Sequence, residues 1–182
     1  CKQEATMAFT CSVKFGNSLI NSNPKCFRYD LIWVKSAACG FLNAKKMPMK
    51  KHEMVYIFYR KLPKVYTENI ALHHTHKFLK PNPDGYAGNC YGGDKESIKT
   101  KYSPPLPNSI LEIKSEKGKH ATQKPVPLME WLIKYYTRKG DKVLDPTMGS
   151  GGTGIACKNL NREFIGIEKD EDIYKVALER NK

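Results

Sequence analysis

The sequence predicts an α/β fold built on a nucleotide-binding sheet, and three observations carry that reading. Residues 142–145 form a short apolar run ending in Asp145; Pro146 follows, then Gly149, Gly151, Gly152 and Gly154, then a helical pattern with Ile155, Ala156 and Leu160. A buried strand that turns sharply into a helix reads this way, and the turn presents backbone N–H groups to a ligand. A second apolar run over residues 164–167 ends in Glu168. An acid about 20 residues beyond such a turn accepts hydrogen bonds from ribose hydroxyls. Strand, helix, strand and strand patterns over residues 5–59 supply the other side of the sheet.

Taken in order, residues 5–12 read as a buried strand, and residues 15–19 as a short helix closed by Asn21, Ser22, Asn23 and Pro24. Residues 29–35 are β-branched and aromatic between turn signals, a second strand, and residues 53–59 are a third. The connection over residues 37–52 is long for a compact domain, which suggests function. It sets Lys45, Lys46, Lys50 and Lys51 around Met47, Pro48 and Met49. Lysines there would meet a phosphate backbone while apolar side chains press on a base or sugar; the alternative is a solvated lysine loop.

From residue 61 to 117 the periodicity collapses into prolines and glycines interleaved with Tyr66, Phe78, Tyr86, Tyr91 and Tyr102. Such composition is not expected to extend the sheet, but aromatics among lysines stack bases and pair phosphates. The alternative is an irregular surface insert. His73, His74 and His76 have no acid or cysteine at ligand spacing, so no metal site is expected. Residues 126–137 form an amphipathic helix opened by Pro125, leading into the strand at residues 142–145.

Composition narrows the function classes. At 182 residues there is room for one substantial domain with an inserted lobe. The 31 Lys and Arg against 18 Asp and Glu give a formal charge of +13, which favours a polyanionic partner, although a lysine excess alone also fits a solvated surface. No signal peptide or apolar run of membrane-spanning length occurs, so a cytoplasmic protein without a membrane partner is expected. Six scattered cysteines without a C-x-x-C pair disfavour a zinc ribbon or redox dithiol. The first residue is Cys1 rather than Met, so the chain is expected to begin within a longer protein.

Gly149, Gly151 and Gly154 satisfy G-x-G-x-x-G, which makes a dinucleotide a competitor; Ile155 stands where a Walker A loop needs lysine. Asp145 and Pro146 before the glycines, the position late in the chain, and the segment His120-Ala121-Thr122-Gln123-Lys124-Pro125 argue against the dinucleotide. Together with residues 145–151 and 164–168, that segment resembles the amino-group DNA methyltransferases that use S-adenosyl-L-methionine. The order is that of their circularly permuted branch, with the catalytic half first and the cofactor half last. The likeness covers residues 120–182 and is looser over residues 28–60. The chain departs from the family pattern at Ala121 for proline, Gly152 for threonine, and Thr147 for the aromatic that walls the cofactor pocket.

The resemblance implies a Rossmann-like methyltransferase sheet with helices on both faces and a small irregular target-recognition insert. Residues 1–60 would complete the catalytic half, 61–117 would recognise the target, and 118–182 would hold S-adenosyl-L-methionine. The residues implied in cofactor binding are Thr122, Lys124, Asp145, Pro146, Gly149, Ser150, Gly151, Thr153 and Glu168. Thr122 and Lys124 would meet the methionine carboxylate, and Glu168 the ribose. Alternatives stand beside these: Lys124 solvated ahead of the helix, Asp145 satisfied by neighbouring N–H groups, and Thr153 as a helix cap. Lys45, Lys46, Lys50 and Lys51 would touch double-stranded DNA. The family context is compatible with a homodimer, a companion restriction endonuclease and a prokaryotic or phage origin.

The activity implied is methyl transfer to the exocyclic amine of adenine, with the cytosine amine second. The catalytic Asp- or Asn-Pro-Pro-aromatic tetrapeptide does not occur in residues 1–182 and is expected upstream of Cys1. Ser103-Pro104-Pro105-Leu106 lacks the aromatic in fourth place. An inert module that binds S-adenosyl-L-methionine and DNA is therefore the competing reading. A cytosine-C5 enzyme is disfavoured because no cysteine follows a proline, and an NAD-dependent oxidoreductase because no hydride-transfer site is evident.

Overall fold

The computed structural model describes residues 3–66, 107–116 and 123–182. Strand β1 (Met7–Cys11) leads into helix α1 (Val13–Ser22), whose first turn is capped by Ser12 Oγ accepting from the Phe15 N–H. Strands β2 (Phe27–Cys39) and β3 (Lys50–Phe58) follow, then the short strand β4 (Ile110–Glu112). Helix α2 (Val126–Tyr136), strand β5 (Lys142–Asp145), helix α3 (Gly152–Asn159), strand β6 (Glu163–Gly166) and helix α4 (Glu171–Asn181) complete the order.

Hydrogen bonding divides the strands into a four-stranded sheet, β1-β3-β2-β4, and a two-stranded parallel sheet, β5-β6. In the first, β3 runs antiparallel to both neighbours and β4 pairs parallel with β2, Trp33 opposite Leu111. The alternation of β3 decides which helix covers which face. Val55 and Ile57 point to the α2 side, while Tyr56 and Phe58 point to the α1 side. Helices thus cover both faces, as expected. Gly16 allows α1 to close down, since a Cβ there would stand 2.1 Å from the Tyr56 ring.

Helix α2 joins the two sheets. Leu128, Trp131 and Leu132 pack with Leu31, Trp33, Val55, Ile57 and Leu111 of the larger sheet. Ile133 lies in a second cluster with Ala156 and Cys157 of α3, backed by Val143 and Phe164 of β5 and β6. The other face of the β5-β6 pair, carrying Leu144, Ile165 and Ile167, is about half exposed. The Tyr29 and Tyr136 hydroxyls bond to one another and fasten β2 to the end of α2. Burial above all, and then this bond, push the Tyr136 phenol far above its ordinary pKa.

Four expectations need correction. The segment from residue 61 to 117 does extend the sheet, through Ile110–Glu112; Leu111 is buried and the Trp33 indole donates to the Ile113 carbonyl at 2.8 Å. Helix α1 is longer than residues 15–19, because the Ser12 cap starts it early. The connection between β2 and β3 shrinks to residues 40–49, since β2 runs on to Cys39, which pairs with Lys50. The cofactor half is not hydrogen-bonded into one sheet with the rest; among the described residues no strand links it to β1. No described helix is long and apolar enough to cross a membrane.

Leu128 has no exposed surface and sits where α2 meets the larger sheet. Leu128→Ala is expected to destabilise the fold by about 3 kcal/mol, read as a lowered urea midpoint at unchanged slope.

Candidate functional site

The site is built where β5 ends. Asp145 closes the strand, and Pro146 and Thr147 turn the chain outward. Gly149 and Gly151 then take φ values of +53° and +78°, the left-handed region in which glycine is unstrained. Gly151 is also the N-cap residue of α3. The turn is tied to the second strand of the pair: the Met148 N–H donates to the Ile167 carbonyl at 3.0 Å, and the Ile167 N–H to the Asp145 carbonyl at 2.9 Å.

Glu168 stands just past β6. Its Oε2 accepts from the Gly149 N–H at 2.9 Å, and its Oε1 from the N–H groups of Lys169 and Asp170 at 2.9 and 3.0 Å. These bonds, that from Asp170 foremost, hold its carboxyl below the ordinary glutamate range. The acid is thus clamped by backbone beside the glycine turn. Nothing stands within 4 Å of where a Cβ on Gly149 would be, so the space at the turn is open.

The other expected residues fall into two groups. Asp145 is satisfied inside the turn, Oδ1 accepting from the Thr147 N–H at 3.1 Å and Oδ2 from the Thr153 hydroxyl at 2.6 Å. Thr153 therefore ties helix to strand and does not cap α3, whose cap residue Gly151 makes no side-chain cap bond. Ser150 is buried, its hydroxyl donating to Gln123 Oε1 at 3.0 Å and accepting from Arg180 at 2.7 Å. Pro146 is exposed at the strand end. Thr122 lies outside the described residues.

Lys124 is joined to Glu53 of β3 at 3.0 Å, and Lys35 of β2 reaches the same carboxylate at 3.3 Å. Burial pushes the Glu53 carboxyl up, but the two ammonium groups, Lys124 first, outweigh it and hold it below the usual range. Lys45 and Lys46 on the β2–β3 connection and Lys50 and Lys51 at the start of β3 are all exposed, and among the described residues none of the four forms an ion pair. No described group of three or more His, Cys, Asp or Glu could hold a metal ion; His73, His74 and His76 lie outside the described residues.

Three participants escaped the sequence. Arg180 of α4 donates to the Ser150 carbonyl at 2.7 Å and to the Gln123 amide at 3.3 Å, besides the Ser150 hydroxyl. Asn181 donates to the Gly151 carbonyl at 3.2 Å. Glu53 gathers the two lysines. Helix α4 itself carried a signal, Asp170 as cap followed by Glu171 and Asp172 in the first turn, but nothing in the sequence tells which face meets the turn.

An α/β chain with a strand–turn–helix and a strand-end acid after the antiparallel part of its fold defines a nucleotide-binding type of scaffold. The DNA methylase family of N6 and N4 amino methyltransferases matches residues 3–179, and the chain belongs to it. Among curated relatives, the type II methyltransferase M2.DpnII of Streptococcus pneumoniae is 49% identical over 63 residues, 35% of this chain and 24% of that protein. M.HindIII of Haemophilus influenzae is 46% identical over 76 residues, 40% of this chain and 25% of the relative. M.SmaI of Serratia marcescens is 29% identical over 160 residues, 84% of this chain and 45% of the relative. The chain thus spans from about a quarter to under half the length of these relatives. The crystal structure of an M1.HpyAVI–SAM complex is similar at 29% identity and a TM-score of 0.66, covering 98% of this chain and 75% of that one. The cytosine-N4-specific PvuII methyltransferase shares the fold at 16% identity and a TM-score of 0.70, covering 98% and 64%.

Arg180→Met would strip a charged donor from the buried Ser150 hydroxyl and its carbonyl. A loss of about 2 kcal/mol in unfolding free energy is expected, with amide hydrogen exchange faster at residues 149–152 than in β3.

Proposed function

We propose that the protein containing this chain is a site-specific DNA methyltransferase that methylates the exocyclic amine of adenine, and that this chain carries its S-adenosyl-L-methionine-binding half. The observation that carries the reading is the Glu168 carboxylate, fixed by three backbone N–H groups beside an open glycine turn. An ionised acceptor held in that place suits the vicinal hydroxyls of a ribose. When bound, S-adenosyl-L-methionine supplies an electrophilic methyl group on a positively charged sulfur. The donor set fits such a ligand: Glu168 for the sugar, the bare backbone at Gly149 for close approach, and the Lys124 ammonium for the amino-acid carboxylate. The similarity to the M1.HpyAVI–SAM complex supports the same ligand.

The chain's own residues act here by binding and orientation. Asp145, Ser150 and Thr153 brace the turn from within, leaving its outer N–H groups and Glu168 to meet the ligand. Two of the thiols are not suited to covalent catalysis. Cys157 is buried and burial pushes its thiol up to about 11, while Cys11 is raised by burial as well. Direct transfer to the amine nitrogen, without an enzyme-bound intermediate, agrees with that.

Residues 61–117 are read as the target-recognition segment, and Lys45, Lys46, Lys50 and Lys51, in the β2–β3 connection and at the start of β3, as phosphate contacts. The whole protein would work on double-stranded DNA in a bacterial cytoplasm within a type II restriction-modification system. The chain on its own, which contains no Asp- or Asn-Pro-Pro-aromatic tetrapeptide, is expected to bind the methyl donor without turning over.

Two measurements test this. Calorimetry on the chain should give S-adenosyl-L-methionine binding that Glu168→Gln weakens by at least about tenfold; preference for NAD would end the reading. Because the Glu168 pKa is lowered in the folded protein, its contribution is present above the ordinary glutamate value of about 4.3 and is lost only as pH falls through the lower folded value. Affinity should accordingly show no loss through Glu168 between pH 7.5 and pH 5. For the whole protein, tritiated methyl groups should appear in N6-methyladenine after digestion of the DNA. N4-methylcytosine would move the target, and no incorporation would leave the inert binding module.

A further inference from the structure

The β2–β3 connection exposes apolar surface that the fold does not use. Phe41 and Leu42 are 80% and 96% exposed, and Met47 and Met49 are 60% and 45% exposed. Gly40, at φ +96°, launches a turn of 3-10 helix over Phe41–Asn43. The Asn43 N–H closes on the Gly40 carbonyl at 3.0 Å, the Ala44 N–H on the Phe41 carbonyl at 3.0 Å, and the N–H groups of Lys46 and Met47 on the Asn43 carbonyl at 2.9 and 3.0 Å. The tip is therefore a shaped knuckle with its two largest side chains outward. Its root is linked to the glycine turn by a relay of side-chain contacts. The Lys35 ammonium reaches the Cys39 sulfur at 3.2 Å and Glu53 at 3.3 Å; Glu53 holds Lys124, and the preceding Gln123 holds Ser150 of the turn.

We infer that Phe41 and Leu42 form a wedge that enters the base stack of a DNA duplex beside the site, while Lys45, Lys46, Lys50 and Lys51 grip the flanking phosphates. The inference rests on the DNA reading above. Apolar side chains that part base steps act this way, and positive charge around them compensates the phosphates they approach. A second copy of this chain is a poorer occupant: the cores of protein interfaces are depleted in charge, and two such tips would bring eight ammonium groups together, twice the four lysines named. A wedge beside the site would also fill the gap left when a base is turned out of the stack for reaction.

The test uses the whole protein bound to closed-circular plasmid, relaxed by a topoisomerase. The wild type should shift the plasmid's linking number. Phe41→Ala/Leu42→Ala should reduce that shift about threefold or more, with the salt dependence of binding, the circular dichroism and S-adenosyl-L-methionine affinity unchanged. Lys46→Gln/Lys51→Gln should do the reverse, lowering the slope of log K against log salt by about 2 while bound protein still unwinds DNA. Wild-type binding without a linking-number shift, or a shift retained in the double alanine variant, overturns the wedge but leaves the DNA reading standing. An effect of the alanines on sedimentation alone assigns the tip to self-association and overturns it as well. Failure of the wild type to bind plasmid at all removes the DNA reading and the wedge with it.

Discussion

The position of everything in this molecule follows from helix α2 being apolar on two sides. One side meets the four-stranded sheet through Leu128, Trp131 and Leu132; the other meets α3 through Ile133. The two sheets share no ladder, so this double burial, with the Tyr29–Tyr136 bond and the Lys124–Glu53 pair, sets their relation. Burying both stripes at native packing density leaves little freedom to slide. Gln123 and Lys124 sit just ahead of the helix, and a shift of α2 would carry them away from Ser150 and Glu53 together.

Within the cofactor half the same economy of placement recurs. A turn of four glycines in six residues would be floppy if its polar groups were left to water. Instead Asp145, Ser150 and Thr153 point inward and bond to the turn and its neighbours, while Arg180 and Asn181 reach in from α4. The ordering cost is met during folding, which leaves a ligand less to lose on binding. Glu168 is the exception that faces outward, and even its carboxylate is oriented by three N–H groups.

Much of this was legible from periodicity and punctuation. The strand–turn–helix at residues 142–154, the second apolar run ending at Glu168 and the strands near residues 5–12, 29–35 and 53–59 are local patterns, and the structure has strands and a helix there. The misses share a physical cause, which is that the deciding partner is distant in sequence. Strand β4 is three residues long among prolines, and its parallel pairing with β2, far away in sequence, makes it a strand, with the Trp33–Ile113 bond and the burial of Leu111 against α2 holding it there. Gly16 lies inside the expected helix, but nothing near it in sequence shows that the Tyr56 ring occupies the place of its side chain. Lys124 finds Glu53 across the fold, and Arg180 finds a serine hydroxyl and a backbone carbonyl, a contact with no sequence signature at either end. Ser150 has partners the motif alone does not show: its buried hydroxyl bonds to Gln123 and Arg180.

The distribution of charge separates lysines that serve the fold from those that do not. Lys35 and Lys124 share Glu53, are mostly buried, and hold sheet to helix. Lys45 and Lys46 in the β2–β3 connection and Lys50 and Lys51 at the start of β3 have no described carboxylate bonded to them and surround apolar side chains that touch little. Like charges so close repel one another and destabilise the compact state, and exposed aromatic and aliphatic groups add no burial in return. Neither feature helps the isolated chain fold. Both become favourable against a polyanion with a stacked apolar interior, because counterions are released at the phosphates and the apolar tip leaves water. The end of the larger sheet that is linked to the glycine turn through Glu53, Lys124 and Gln123 thus also carries the surface proposed to meet the nucleic acid.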